Sequence, residues 1–547
     1  MLIGYVSDER YVALEGVAVE LDRDGETVAV VRSTPRGRVI ADIPPGTYRV
    51  TLSRDGFGPK SVVLHLAAAD APRQFRLLSD QLTGYVWPRW VRAGERAELC
   101  FHAAEPFRLT LARYGAHREP VRVLGWFDEH GPNAFRQITP DGDWTQTGIR
   151  FNRVGFASIP PHTQMVVAPQ RSGLYYVEQK GESGAYFSAP WVVAPARDAP
   201  AAPIAVVLST NTWNAYTNTG GRSNYVNATG LPPEPTVNGR QELQRYRADA
   251  PPEWTAPDSA FLPLSFERPE PFNAIPEGAE PTDPIEGRQP NHLAPAEWRL
   301  LAWLEREGFA YDVFSDAQLH EGILDLARYR VLVISAHPEY WTRTMFDRTR
   351  AWVEHGGGRL LYLGGNGLNC EVELSGPGSS VMRTRSHLSA LDGALGQPDP
   401  KDPSHWLDSR FHRSTGVSEA ALTGVATTEA GIQTSAPYRV VNGAHWAFEG
   451  TGLATGSIFG TESLHERVAG GASGHETDKM TAESPAGTVL LAKGLNPDDG
   501  GAEIVVRETP SGGAVFSVGS ITWPASILVD EGVAAITRNV LRRYLEG

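Results

Sequence analysis

The stretch Val331-Leu-Val-Ile-Ser-Ala-His337-Pro-Glu339-Tyr340-Trp341 begins as an unbroken apolar run and stops at a His, a Pro and a Glu. Such a run suits a strand covered on both faces in a parallel sheet. In open α/β sheets, ligands bind outside the carboxyl ends of the strands. His337 and Glu339 therefore fall where such a fold does its chemistry. Side chains alternate along an extended backbone, so an imidazole and a carboxylate two positions apart can face one site, and Pro338 favours that conformation at His337. The plainer alternative is a strand end carrying two solvated polar residues.

The flanking sequence supplies the rest of such a sheet. Ile204-Ala-Val-Val-Leu-Ser209 reads as a buried strand. Pro295 to Gly308 reads as a helix, with Pro at its start, Trp298, Leu301 and Leu304 on one face, and Gly as its stop. Tyr311-Asp-Val-Phe314, a helix around Met345–His355 ended by Gly356-Gly-Gly358, and Arg359-Leu-Leu-Tyr-Leu-Gly364 continue the alternation. Gly513-Ala-Val-Phe-Ser-Val-Gly519 and a final helix over about 530–546 return to the sheet. Alternating strands and helices predict a doubly wound α/β domain over residues 203–547. Two insertions, about 217–290 and 370–485, exceed ordinary connections, and their Trp, Phe and His content predicts ordered lids.

Upstream the period changes to that of short strands. In residues 1–78, Val17-Ala-Val-Glu-Leu21 alternates, Thr27-Val-Ala-Val-Val-Arg32 follows an Asp24-Gly25 turn, and Tyr48-Arg-Val-Thr-Leu52 follows Pro44-Pro45-Gly46. Residues 79–198 continue with Ala97–His102, Phe107–Tyr114 and Leu174–Glu178 between Gly, Pro and Asp breaks, predicting a second β-sandwich. Pro195-Ala-Arg-Asp-Ala-Pro-Ala-Ala-Pro203 is a linker by composition, so a fragment from about residue 203 is expected to be stable alone. The first module, through Ile43-Pro-Pro-Gly-Thr-Tyr-Arg-Val-Thr-Leu52, resembles the carboxypeptidase regulatory-like β-sandwich, which implies packing or interaction and no catalysis.

Composition narrows the function classes. A net charge of −14 over 547 residues argues against a nucleic-acid surface, which needs a basic patch. No window is apolar for long enough to span a membrane, and the start of the chain lacks the pattern of a signal peptide. Cys100 and Cys370 are the only cysteines and stand far apart, so a disulfide framework is not expected and a cytoplasmic location is.

All three candidate strands finish in polar stretches: Asn211-Thr-Trp-Asn-Ala-Tyr216 followed by Gly220-Gly-Arg-Ser-Asn-Tyr225, then His337-Pro-Glu339, then Gly364-Gly-Asn366-Gly367. Parallel topology puts these ends on one edge, so Tyr216, Tyr225, His337, Glu339 and Asn366 are candidates to converge. The glycines allow backbone to approach a ligand or metal closely. Cys370 lacks the Gly-x-Cys-x-Gly elbow of a cysteine hydrolase, no Gly-x-Ser-x-Gly occurs near a strand end, and no His-Glu-x-x-His helix is present.

Those motifs, together with Ser265-Phe-Glu-Arg-Pro269 and Trp303-Leu-Glu-Arg-Glu-Gly308 in the same order, resemble the catalytic domain of the N,N-dimethylformamidase large subunit over about 203–547. The resemblance implies a glutamine-amidotransferase-like α/β fold and an amidohydrolase acting on a small N-substituted amide. It also implies a mononuclear Fe³⁺ bound by two tyrosinates and a carboxylate, here Tyr216, Tyr225 and Glu339, with Tyr246 of Gln244-Arg-Tyr-Arg247 as the alternative second tyrosine. His337 is then a close neighbour that orients ligands or water, Asn366 a donor to substrate oxygen, and Glu476 of Gly474-His-Glu-Thr-Asp-Lys479 a catalytic carboxylate. Where the family carries a Lys after the Gly-Gly-Asn turn, this chain offers Arg383 and Arg385, and Cys370 stands where relatives have an aromatic residue. Hard anionic oxygens suit a trivalent cation better than thiolates do. The resemblance further implies a small partner subunit, and a homo-oligomer is expected. The competing readings are a non-catalytic carbohydrate- or protein-binding scaffold and a hydrolase using another metal.

Overall fold

The computed structural model describes residues 1–127, 141–149, 164–228, 230–237, 261–285, 291–385, 410–428 and 430–546. At its centre lies a nine-stranded sheet. Five strands run parallel in the order Tyr311–Ser315, Ile204–Leu208, Val331–Ala336, Arg359–Gly364 and Ala514–Ser517. Every residue of Val331–Ala336 is buried, as its unbroken apolar run requires. Alternate residues feed two different cores. Val333, Leu361, Leu363 and Phe516 pack with the helices Ala294–Arg306 and Glu531–Glu546. Leu332, Ile334, Leu360 and Val515 pack with Arg343–His355 on the opposite face. The first strand in sequence, Ile204–Leu208, pairs on one side with Tyr311–Ser315 and on the other with Val331–Ala336. Connections leave it in both directions, which opens a crevice at the carboxyl edge.

The sheet does not end with its parallel part. Glu503–Glu508, Val489–Gly494, Tyr438–Val440 and Ile458–Phe459 extend it antiparallel. Two of these strands belong to the segment expected to be a lid. That segment is therefore partly sheet, and its Ser473–His475 and Thr477–Lys479 strands, paired with Thr434–Ala436 and Ala426–Thr428, carry Glu476 back toward the carboxyl edge.

The chain is β-rich and multidomain, with β-sandwiches at its amino end. In the first, the sheet Arg38–Ile40, Leu2–Ser7, Arg73–Arg76 faces the sheet Glu26–Arg32, Ala18–Arg23, Gly46–Ser53, Lys60–Leu66 across Val6, Val19, Leu21, Val50 and Phe75. Its two-residue hairpin has positive φ at both Asp24 (54°) and Gly25 (88°), the conformation that matches strand twist. In the second, Thr83–Trp87, Arg96–His102 and Gln164–Val167 face a five-stranded sheet across Leu99, Phe101, Leu109, Val177 and Trp191.

The second sandwich is fused to the α/β part rather than tethered to it. The far face of its five-stranded sheet gives Ala112, Tyr114, Leu174 and Tyr176 to the same core as Trp298 and Leu301. Tyr114 meets the Trp298 ring edge-on at 4.9 Å, and Trp298 Nε1 donates to Gly115 O (2.9 Å). The Pro195–Pro203 segment is held as well: Arg92 Nη1 donates to Pro195 O, and Ala202 N donates to Asp312 Oδ2. Cys100 and Cys370 are buried and not joined in a disulfide. Among the described residues no helix is long and apolar enough to cross a membrane.

Candidate metal centre and active site

Three chain segments leave the carboxyl edge and meet above it. The Ile204–Leu208 strand enters a seven-residue helix, Thr210–Tyr216, which takes up the polar stretch at its end. Two buried carboxylates hold that helix. Glu297 accepts from Ser209 N (2.9 Å) and Trp213 Nε1 (2.8 Å), and Asp316 accepts from Asn211 N (2.8 Å). Tyr216, at the helix end, is thereby fixed over the crevice. After Val331–Ala336 the chain turns sharply: Ala336 takes a φ of 56°, and Glu339 N donates to His337 O (2.9 Å) across Pro338. His337 and Glu339 face one site through this tight turn, not through the extended run expected.

In the Gly364-Gly-Asn366 turn the glycines make room for backbone. A Cβ on Gly365 would stand 2.7 Å from Glu476 O and Ile521 N, and one on Gly364 would stand 2.7 Å from Ala336 O.

Two phenols converge on one carboxylate. Tyr216 donates to Glu339 Oε2 (3.2 Å), and Tyr225 approaches both Glu339 oxygens, at 3.0 and 2.8 Å. Their rings lie against each other, tilted by 32°, at 4.3 Å between centroids. Tyr225 also lies 2.8 Å from the Tyr340 hydroxyl, and Cys370 Sγ lies 3.8 Å from Glu339 Oε1. Beside this trio, His337 Nε2 sits 3.3 Å from Glu339 Oε2 and 3.4 Å from Glu476 Oε2. Asn366 Nδ2 donates to Glu476 Oε2 (2.6 Å), while Thr427 Oγ1 donates to Asn366 Oδ1 (2.9 Å). Below them Asp478 accepts from Asn366 N (2.8 Å) and from Tyr362 (2.5 Å).

The electrostatics follow from burial and neighbours. Desolvation, then the facing Glu339 carboxylate, pushes the Tyr225 phenol well above its ordinary value. Burial works to lower His337, but Glu339 and Glu476 outweigh it and the imidazole stands above its usual range. Burial works to raise Glu476, and the hydrogen bond and charge of His337, with His475 and Asn366, bring it well below the usual carboxylate range. Desolvation pushes Asp478 up to about 6.

The oxygens of Tyr216, Tyr225 and Glu339 form a compact set of hard donors, the kind that binds a small, highly charged cation. Among the described residues no three His, Cys, Asp or Glu side chains cluster to hold a metal. The donor set fits such an ion, because the phenols donate to Glu339 only while protonated and a cation among them displaces those protons.

Of the residues singled out from the sequence, Tyr216, Tyr225, His337, Glu339, Asn366 and Glu476 come together. Arg385 does not. It is exposed and paired with Glu373 Oε1 (2.6 Å), and Arg383 is exposed beside it. Tyr246 lies outside the described residues.

Sequence reasoning missed the histidines that wall the site. The His292 ring stands 4.8 Å from Tyr216, 5.1 Å from His337 and 5.7 Å from His475, and His465 follows at 5.0 Å from His475. His475 adjoins Glu476 in sequence and was within reach of the same motif. His292 precedes a helix with no motif around it.

Residues 159–534 match the family model described as N,N-dimethylformamidase beta subunit-like, C-terminal. The chain belongs to this N,N-dimethylformamidase beta subunit-like family. The family match reaches back from the α/β part into the second sandwich, in keeping with their shared core. The N,N-dimethylformamidase beta subunit of Paracoccus aminophilus is 30% identical over 292 residues, covering 46% of this chain and 37% of that protein. The same subunit from an Alcaligenes sp is 29% identical over 292 residues, with the same coverage of 46% and 37%. The chain thus spans little more than a third of those relatives' length. Among solved structures, a β-galactosidase from Rahnella sp. R3 is similar at 13% identity and a TM-score of 0.26, covering 46% of this chain and 27% of that one, too slight a likeness to bear on fold or site.

Proposed function

We propose that this chain is a metal-dependent amidohydrolase, cleaving a small N-substituted amide such as a formamide, with a mononuclear ferric ion held by Tyr216, Tyr225 and Glu339. The convergence of both phenols on the Glu339 carboxylate carries the reading, and the names of the related beta subunits support the substrate class. The parallel strand order supports a glutamine-amidotransferase-like fold for the α/β part.

Bound there, iron supplies Lewis acidity, polarising an amide carbonyl and acidifying water. The chain's own groups handle protons and orientation. Glu476, kept ionised by His337 and Asn366, takes a proton from the attacking water at Oε2. His337, flanked by two carboxylates, holds a proton at Nε2 and delivers it to the departing amine nitrogen. Asn366, its Oδ1 engaged by Thr427, donates Nδ2 to Glu476 and so orients that carboxylate and the amide oxygen. Buried walls of His292 and His475 restrict water. The relatives' designation as beta subunits supports assembly with a partner subunit.

Metal analysis of the purified chain, followed by assay of the iron-loaded protein on N-substituted formamides, tests the reading. Stoichiometric iron with a visible tyrosinate-to-iron absorption band and amide cleavage is the expected result. Cleavage by colourless, iron-free protein removes the ferric assignment. Absence of any amide cleavage, with oligosaccharide binding instead, replaces the enzyme with a scaffold.

A further inference from the structure

The segment between Tyr216 and Tyr225 has no regular structure, yet both phenols reach one carboxylate to within 3.2 Å. Arg268, in the Ser265-Phe-Glu-Arg-Pro269 motif that the chemistry leaves unused, holds that segment. Its side chain is fully buried, at 0% exposure. Nε donates to Ser265 O (2.9 Å). Nη1 serves Thr217 O (2.7 Å), Thr219 O (2.9 Å) and Arg222 O (3.1 Å), and Nη2 serves Asn214 O (2.9 Å) and Asn214 Oδ1 (2.8 Å). All but the first of these acceptors lie in residues 214–222, from the last turn of the Tyr216 helix to the approach to Tyr225.

A guanidinium carries its donors in a rigid planar fork. Here the fork ties the carbonyl end of the helix, where a cation is electrostatically favoured, to three successive points of the loop. Its acceptors are carbonyls and one amide instead of a carboxylate. Burying a charge on such terms is costly relative to an apolar residue, so geometry, not net stability, accounts for an arginine at this position. From the opposite side the first sandwich steadies the same loop, where Arg76 Nη1 donates to Gly220 O (3.2 Å).

We propose that Arg268 is a positioning residue that sets the separation of the Tyr216 and Tyr225 oxygens, and with it their grip on a cation. This rests on the reading of the site as a metal centre. Lysine cannot span the same acceptors, because it offers a single nitrogen.

The test uses the full chain carrying fluorotyrosine, observed by fluorine NMR without metal, with the two signals assigned by their loss in Tyr216→Phe and Tyr225→Phe. In Arg268→Lys both signals are expected to move while those of tyrosines outside the site stay. Iron affinity is expected to fall about 10–100-fold, as for other groups that orient metal ligands. Guanidinium added to Arg268→Ala should return both signals toward their wild-type positions. Unchanged signals and unchanged iron affinity in Arg268→Lys overturn the proposal. If Arg268→Lys does not fold, Asn214→Ala, which deletes one acceptor, should move the same signals less far, and no movement there overturns it equally. Signals that move in a protein whose wild type binds no iron leave the positioning role standing and remove the metal reading.

Discussion

At the scale of single residues, the proposed metal centre sets protons against a cation for the oxygens of Tyr216, Tyr225 and Glu339. Tyr225→Phe keeps the ring contact with Tyr216 and deletes the hydroxyl that meets Glu339 and Tyr340. The expected outcome is loss of the visible band and of amide cleavage, with metal-free stability lowered by only about 1–3 kcal/mol, the scale of a lost hydrogen bond to a charged group. Unfolding in denaturant and visible spectra of the same sample separate these effects. Gly365→Ala acts through space: its Cβ would collide with the backbone at Glu476 and Ile521. Overpacking of this kind costs about 1–3 kcal/mol, and because it displaces Glu476 the turnover number should fall while iron content holds. Full turnover in that variant would contradict the placement of Glu476. These residues also show what a sequence can convey. His337, Glu339 and Asn366 were legible because apolar runs mark strand ends, and Tyr216 because its strand ends close by. Arg385 stands apart from the residues that converge, although a charge following a functional turn looks available to them. In the Val381–Thr384 strand, Met382 and Thr384 are buried while Arg383 and Arg385 are exposed, so period-two alternation turns both arginines outward. His292 reaches the site through tertiary packing alone, and no local pattern announces such a contact.

At the scale of elements, the Thr210–Tyr216 helix is the piece whose stability the site depends on. Its two supports, Glu297 and Asp316, are both pushed up to about 8, chiefly by desolvation. In the unfolded chain such carboxyls titrate near ~4, so between about pH 4 and 8 the folded state binds more protons than the unfolded one. Stability contributed by these groups is present below pH ~4 and is lost as pH rises toward 8. Metal-free protein should accordingly unfold at lower denaturant at pH 8 than at pH 5.5. Glu297→Gln, which cannot ionise but still accepts one hydrogen bond, should be about 1 kcal/mol less stable at pH 5.5 and show a shallower decline toward pH 8. An unaltered slope would mean that Glu297 does not titrate in this window. The helix itself was hidden in the sequence. Asn211, Thr212 and Asn214 favour turns over helix interiors, and the buried carboxyls that override this preference stand 88 and 105 positions from the groups they hold.

At the scale of the whole molecule, the linker composition of residues 195–203 predicts an independent carboxyl-terminal domain, and the packing argues for the opposite behaviour. Two sandwiches were legible from short alternating strands, because a one-sided sheet writes its period into the sequence. The second sheet, however, uses its outward face as well. Tyr114, Tyr176, Leu174 and Val192 continue into the core beneath Trp298 and Trp303. Tyr176 donates to Asn273 O (2.9 Å), and Arg113 pairs with Glu305. Alternation cannot reveal a sheet buried on both sides by different domains, since each face looks like the core face of its own sandwich. Large aromatic side chains are each worth about 1.5–3 kcal/mol when buried, and removing residues 1–198 would uncover several at once, a loss comparable to the total stability of a domain. A fragment of residues 203–547 should therefore be insoluble or partly unfolded. In calorimetry of the intact chain, the second sandwich and the α/β part should melt in one transition, and Trp298→Ala should lower that single transition instead of splitting it. Two separable transitions, or a soluble fragment from residue 203 that retains the Tyr216, Tyr225 and Glu339 centre, would show that the shared core is dispensable and that the linker is one in fact as well as in composition.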